Sequence, residues 1–178
     1  MLKKAVIITG KFVQDHEFIY PFYRLLEEGF EVDVCLHEGI PVKGYFGTDI
    51  PSNKDHPVKK IQEINTDTYN LLIIPGGVKA LEKVRQNKEI INFIKKFHEE
   101  NKVIGCICSG SQLLISAKIV KDKNISGYYS MKDDIINAGG NYTDLPAVVD
   151  SKVITTAHYK DLGPWMKAVL SEFYKFNS

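Results

Sequence analysis

Apolar and polar positions follow two periods along this chain. Nearly continuous apolar runs occur at Lys4–Thr9, Glu31–Leu36, Asn70–Ile74 and Val103–Ile107. Such runs predict strands buried on both faces. Longer stretches carry apolar residues three and four apart. His16–Glu28 places Phe18, Ile19, Phe22, Leu25 and Leu26 on one face, and Asn87–Glu100 does the same with Ile90, Ile91, Phe93, Ile94 and Phe97. Both read as amphipathic helices, as does Leu162–Phe176. Asp15 is placed to cap the first helix and Gly29 to stop it, while Pro21, too deep for the first turn, predicts a kink. Gly39–Ile50 alternates and is rich in glycine, which suggests a small hairpin arm. Asn53–Asn65 reads as a polar connection. Beyond residue 120 the pattern loosens into a strand at Asn124–Tyr129 and a short helix at Lys132–Ala138. Two strands follow at Ala147–Asp150 and Val153–Thr156. Alternating strands and helices, with no repeat or linker, predict one α/β domain over residues 1–178. It would be a mostly parallel sheet with helices on both faces and functional groups at the carboxyl ends of the strands.

Composition narrows the function classes. The chain has 178 residues, a formal charge of +1 and scattered basic residues. Nothing in that balance calls for nucleic acid or a membrane surface. No apolar run approaches a membrane span, and the apolar N-terminus is too short for a signal sequence. Cys35, Cys106 and Cys108 form an odd, sparse set without zinc-like spacing. Free thiols in a cytoplasmic, reducing compartment are expected, with no metal or cofactor.

The chemistry centres on Cys108. The apolar strand beginning at Val103 ends there, and Gln112–Ala117 begins a helical pattern. A nucleophile between strand and helix is an elbow, where the helix dipole and unpaired amides favour a thiolate. The other reading is a buried cysteine in a tight connection. Pro75-Gly76-Gly77 also ends a predicted strand. The Gly76 and Gly77 amides, with that of Ser109, are placed to form an oxyanion hole. Glu17, one turn into the first helix, is on pattern alone a surface glutamate complementing the helix dipole. Were it beside the sulfur, it would stay protonated and donate a hydrogen bond to the thiolate. His158 follows a predicted strand and is the best candidate base, its alternative role being a local cap. His16 is the second candidate. His37, His56 and His98 read as solvated, and Cys35 and Cys106 as core.

These residues together resemble the PfpI/ThiJ family, which includes the parkinsonism-associated deglycase and shares the class I glutamine amidotransferase-like fold. The resemblance rests on Asp15-His16-Glu17-Phe18-Ile19-Tyr20-Pro21, Leu72-Ile73-Ile74-Pro75-Gly76-Gly77, Ile107-Cys108-Ser109-Gly110, Lys132–Gly140 and Val148-Val149-Asp150. It implies a flavodoxin-like three-layer sandwich, a homodimer or higher assembly, Cys108 as nucleophile and Glu17 as its carboxyl partner. It also implies that Pro21 is a tolerated kink that presents Glu17. The chain departs from the family at three places. Ser109 stands where PfpI-type peptidases carry histidine, Ser111 where many members carry proline, and Tyr128 where deglycase-like members carry histidine. Cys-Ser-Gly-Ser is closer to the elbow of the isonitrile hydratase branch, which has aspartate where this chain has Glu17. Three functions follow as expectations. The first is a cofactor-free glyoxalase- or deglycase-like enzyme acting on small reactive carbonyls or their adducts. The others are a redox or stress protein sensing oxidation through Cys108, and a hydrolase or hydratase.

Overall fold

The computed structural model describes residues 3–53 and 55–176. Its central sheet contains β1 (Lys4–Thr9), β2 (Glu31–Leu36), β3 (Val58–Lys59), β4 (Leu71–Ile74), β5 (Val103–Ile107), β6 (Val148–Asp150) and β7 (Val153–Thr156), in the order β6-β7-β5-β4-β1-β2-β3. Only the β6–β7 pairing is antiparallel. The strands β1, β4 and β5 are the most central and the most completely buried, which is why their sequences read as unbroken apolar runs.

The helices are α1 (Asp15–Glu27), α2 (Val78–Val84), α3 (Lys88–Glu99), α4 (Ser111–Ser116), α5 (Lys132–Asn137) and α6 (Leu162–Phe176). α1 packs on β1 and β2 and touches α6, which lies on β5 and β7. On the other face α2 packs on β1 and α4, and α3 on α4. This is the flavodoxin-like sandwich. Its small arm is the antiparallel pair Val42–Lys43 and Asp49–Ile50. Trp165 of α6 lies over Gly105 of β5, where any Cβ would sit 3.1 Å from the indole ring. Its Nε1 donates to the Ile154 carbonyl, so the largest buried side chain has no unpaired polar atom.

Several sequence expectations change. Gln14, not Asp15, caps α1, its side-chain oxygen accepting from the Glu17 amide at 3.3 Å. The Asp15 carboxylate is drawn away by the arm and accepts from the Phe46 and Thr48 amides at 2.8 and 3.1 Å. α1 runs unbroken through Pro21, whose missing N–H falls opposite the Glu17 carbonyl. The connection 53–65 contributes the edge strand β3. α2 fills a stretch the sequence reading leaves unassigned. Its buried Ala80, Leu81 and Val84 have helical spacing, but Gly77 supplies no side-chain cap to announce its start. Residues 124–129 form a strand only at Asn124–Ile125, which pairs with Asn141–Tyr142.

Candidate functional site

β5 ends at Ile107 in extended conformation, and Cys108 turns into the left-handed region with φ +61°. A cysteine held there stores about 1–3 kcal/mol of backbone strain. The turn continues as a 3-10 segment, Cys108–Gly110, into α4. Small residues make it possible. A Cβ on Gly110 would lie 2.8 Å from Cys106 Sγ and 2.9 Å from the Ile74 carbonyl oxygen. Cys106 is therefore core, as expected, and its thiol is pushed well above the usual range by burial. Cys35 is likewise buried, and burial pushes its thiol up to about 12.

Glu17 is not a surface glutamate. It is fully buried beneath the elbow. Its Oε2 accepts from the Gly76 amide at 2.7 Å, while the Gln14 amide donates to the Gly76 carbonyl at 3.1 Å. These two bonds clasp the start of α1 to the end of β4. Gly76 is the spacer between carboxyl and thiol, since a Cβ there would fall 2.6 Å from Cys108 Cβ and 3.1 Å from its sulfur. Gly77, at φ +106°, is crowded by the 12–14 backbone and admits no side chain either.

The three amides expected to form an oxyanion hole are all bonded within the protein. The Gly76 amide is committed to Glu17 and is not free for a substrate oxygen. The Gly77 amide donates to Ser109 Oγ at 3.0 Å, and the Ser109 amide faces the Cys108 sulfur. All three amides are engaged at rest, and only the Gly77 bond is made to a side chain that can turn away.

The electrostatics also correct a simple expectation. Burial raises the Glu17 carboxyl to about 7, against the Gly76 amide and the Cys108 thiol, which favour the carboxylate. Burial, followed by repulsion from Glu17, pushes the Cys108 thiol up to about 12, against two hydrogen bonds from Ser109. A six-residue helix behind a 3-10 turn has too small a dipole to offset that burial. The thiol is therefore not independently ionised at neutral pH. The pair sheds one proton near pH 7, and the second leaves only far above. Near neutral pH the sulfur's route to a thiolate is to pass its proton to the Glu17 carboxylate beside it.

His158 and His16 lie together but apart from the sulfur's hydrogen bonds. His158 Nδ1 accepts from the Lys160 amide at 3.1 Å, the capping role considered as its alternative. Its ring lies 4.0 Å from that of Tyr159, which stacks on His16 at 5.0 Å. Tyr128, whose amide donates to the Cys108 carbonyl, extends this aromatic band at 6.3 Å from His158. Among the described residues, no imidazole is hydrogen-bonded to Cys108. Nor do any His, Cys, Asp or Glu side chains group to hold a metal, and no helix is long and apolar enough to cross a membrane. The sequence points to the Ser109 amide alone, and its hydroxyl, which meets the Gly77 amide and the Cys108 sulfur, emerges only in the structure.

The same architecture recurs in known proteins. The chain is 34% identical over 164 residues to Deglycase PfpI of Pyrococcus furiosus, covering 92% of this chain and 95% of that one. It is 31% identical to General stress protein 18 of Bacillus subtilis, covering 90% and 91% of the two chains. The crystal structure of Drosophila melanogaster DJ-1beta superposes with a TM-score of 0.87 at 21% identity, over 97% of this chain and 91% of that one. The pattern of the DJ-1/PfpI family matches residues 3–172, and with an elbow cysteine seated over a buried glutamate, this chain belongs to that family.

Proposed function

We propose that the chain is a cofactor-free, Cys108-dependent enzyme of glyoxalase or deglycase type, acting on small reactive carbonyls or their adducts. One observation carries the reading: a fully buried glutamate, bonded to the Gly76 amide at 2.7 Å, lies beside a cysteine on a strained elbow, and its burial raises the carboxyl toward neutrality. A pKa close to the working pH is what general acid–base chemistry requires. The deglycase name of the Pyrococcus relative supports the same class.

For methylglyoxal the steps are these. The Cys108 proton passes to Glu17, and the sulfur adds to the aldehyde carbon. The carbonyl electron pair moves to oxygen, which takes that proton from Glu17 to give a hemithioacetal and leaves Glu17 a carboxylate. Glu17 takes the proton from that carbon and returns one to the neighbouring carbon, turning the hydroxyketone into a lactoyl thioester. Water hydrolyses the thioester to lactate and frees the thiol, with no net oxidation. The Gly77 amide is the oxyanion donor once the substrate oxygen displaces the Ser109 hydroxyl, and the Ser109 amide joins it when the negative charge passes from the sulfur to that oxygen. His158 serves as an auxiliary proton carrier only when its Nδ1 lets go of the Lys160 amide, because an accepting Nδ1 leaves Nε2 already protonated. The test is methylglyoxal consumption by wild type and Cys108→Ser. Turnover in the wild type that falls to background in the variant is expected, whereas equal rates, or none in either, remove the proposal.

A second reading has its own observation. Glu17 Oε1 is buried without a well-aligned hydrogen-bond partner. An oxygen added to Cys108 on oxidation would find a hydrogen-bond partner there if Glu17 is protonated, which suits a redox or stress role. Oxidation to the sulfinic acid under mild peroxide, without carbonyl turnover, would favour it. Peptidase chemistry is the least supported, because Ser109 adjoins the nucleophile in place of an imidazole.

A further inference from the structure

We propose that the Ser109 hydroxyl is a positioning residue that holds the Cys108 sulfur in its ionised form. The inference deepens the proposed function and rests on its assignment of Cys108 as the nucleophile. Ser109 is buried, and its Oγ lies between two groups. The Gly77 amide donates to it at 3.0 Å, and Cys108 Sγ lies 3.9 Å away. The Gly77 hydrogen occupies one lone pair of the oxygen, so the hydroxyl proton is free to turn toward the sulfur. A thiolate can only accept, and Oγ–H is placed to donate to it. The chain Gly77 N–H, Ser109 Oγ–H, Cys108 S⁻ runs in one direction, each donor polarising the next.

The arrangement fits the rest of the pocket. When the thiol proton passes to Glu17, the negative charge moves from a carboxylate held by the Gly76 amide to a sulfur that needs its own donors. The Ser109 amide is one, and the hydroxyl is the second. The nucleophile is thus served without an imidazole. No atom is exchanged in this role; the hydroxyl keeps its proton throughout.

The experiment is the pH dependence of Cys108 alkylation by iodoacetamide, read by peptide mass spectrometry, in wild type, Ser109→Ala and Ser109→Thr. Hydrogen bonds to charged groups carry enough energy that Ser109→Ala should alkylate about tenfold more slowly across the neutral range, its profile displaced downward in rate while the midpoint, set by the Glu17 proton, stays in place. Ser109→Thr, which keeps the hydroxyl, should restore the wild-type profile. A Ser109→Ala profile that superposes on wild type overturns the proposal, as does a displacement that Ser109→Thr fails to reverse. Alkylation needs no carbonyl turnover, so an inactive wild type with the displaced profile would sink the proposed function while leaving this inference standing.

Discussion

Two of the buried carboxyl groups, Glu17 of α1 and Asp33 of β2, meet opposite fates. Glu17 lies at the carboxyl ends of the strands with one backbone amide and one thiol for company, and no cation. Burial wins, and its pKa rises to about 7. Asp33 lies within β2 and is nearly as deep. Burial pushes it up as well. But Lys59 at 2.7 Å, the Tyr69 hydroxyl at 2.6 Å and Lys4 at 3.8 Å outweigh burial and hold it below the usual carboxylate range. The difference is what opposes burial: Asp33 has two cations and a hydroxyl, Asp15 has the Phe46 and Thr48 amides, and Glu17 has one amide and a thiol, which are too little. The paired carboxylate is held ionised within the sheet, and the one without a cation has the proton equilibrium near neutrality that the proposed chemistry asks of Glu17.

Substituting each acid tests that division. The largest effect should come from Glu17→Gln, which keeps shape but cannot take the thiol proton. Carbonyl turnover should drop by about 100- to 10,000-fold, the range for removing a positioned acid–base group. Asp33→Asn, by contrast, should leave turnover per folded molecule unchanged, and a matching loss in both variants would dissolve the distinction.

Stability against pH sharpens it further. Folding favours the protonated form of Glu17, so its ionisation costs nothing below its unfolded pKa of 4.5 and a growing amount as pH rises to about 7. Urea unfolding should show Glu17→Gln gaining on wild type across that window, to a plateau of about 3 kcal/mol at 1.36 kcal/mol per unit. Asp33 has the reverse sign. Its folded pKa is depressed, so its contribution is present above 3.8 and is lost as pH falls. A Glu17→Gln difference that stays flat between pH 4.5 and 7 would mean the carboxyl is not perturbed.

The smallest expected effect is the neutral-pH stability of Asp33→Asn. Lys59 and Lys4 lose a charged partner but keep partial access to water, which limits the cost to about 2 kcal/mol. A cost near zero would show that the ion cluster adds nothing beyond its hydrogen bonds.

Local pattern revealed much of this molecule. β1, β2, β4 and β5, the helices α1, α3 and α6, and the elbow at Cys108 all follow from apolar period and turn chemistry, because those signals act over a few residues. Short elements with weak signals escaped. β3 is two residues of an edge strand inside a polar connection, and α2 starts at a glycine that cannot cap it. Asp15 was readable as a cap only while its competitor, the arm, was out of view.

What no stretch of chain could disclose is which groups meet. Glu17, Gly76 and Cys108 are far apart in sequence and are brought together because β1, β4 and β5 are parallel neighbours ending at one edge. The amino-acid order specified a cysteine on a sharp turn and a glutamate near a helix start. Packing then stripped water from both, denied the glutamate a cation and spent the Gly76 amide on it. It also turned the Ser109 hydroxyl toward the Gly77 amide, with the sulfur beside it. Ionisation depends on solvent and neighbouring charge, and both are properties of the assembled core rather than of residue type.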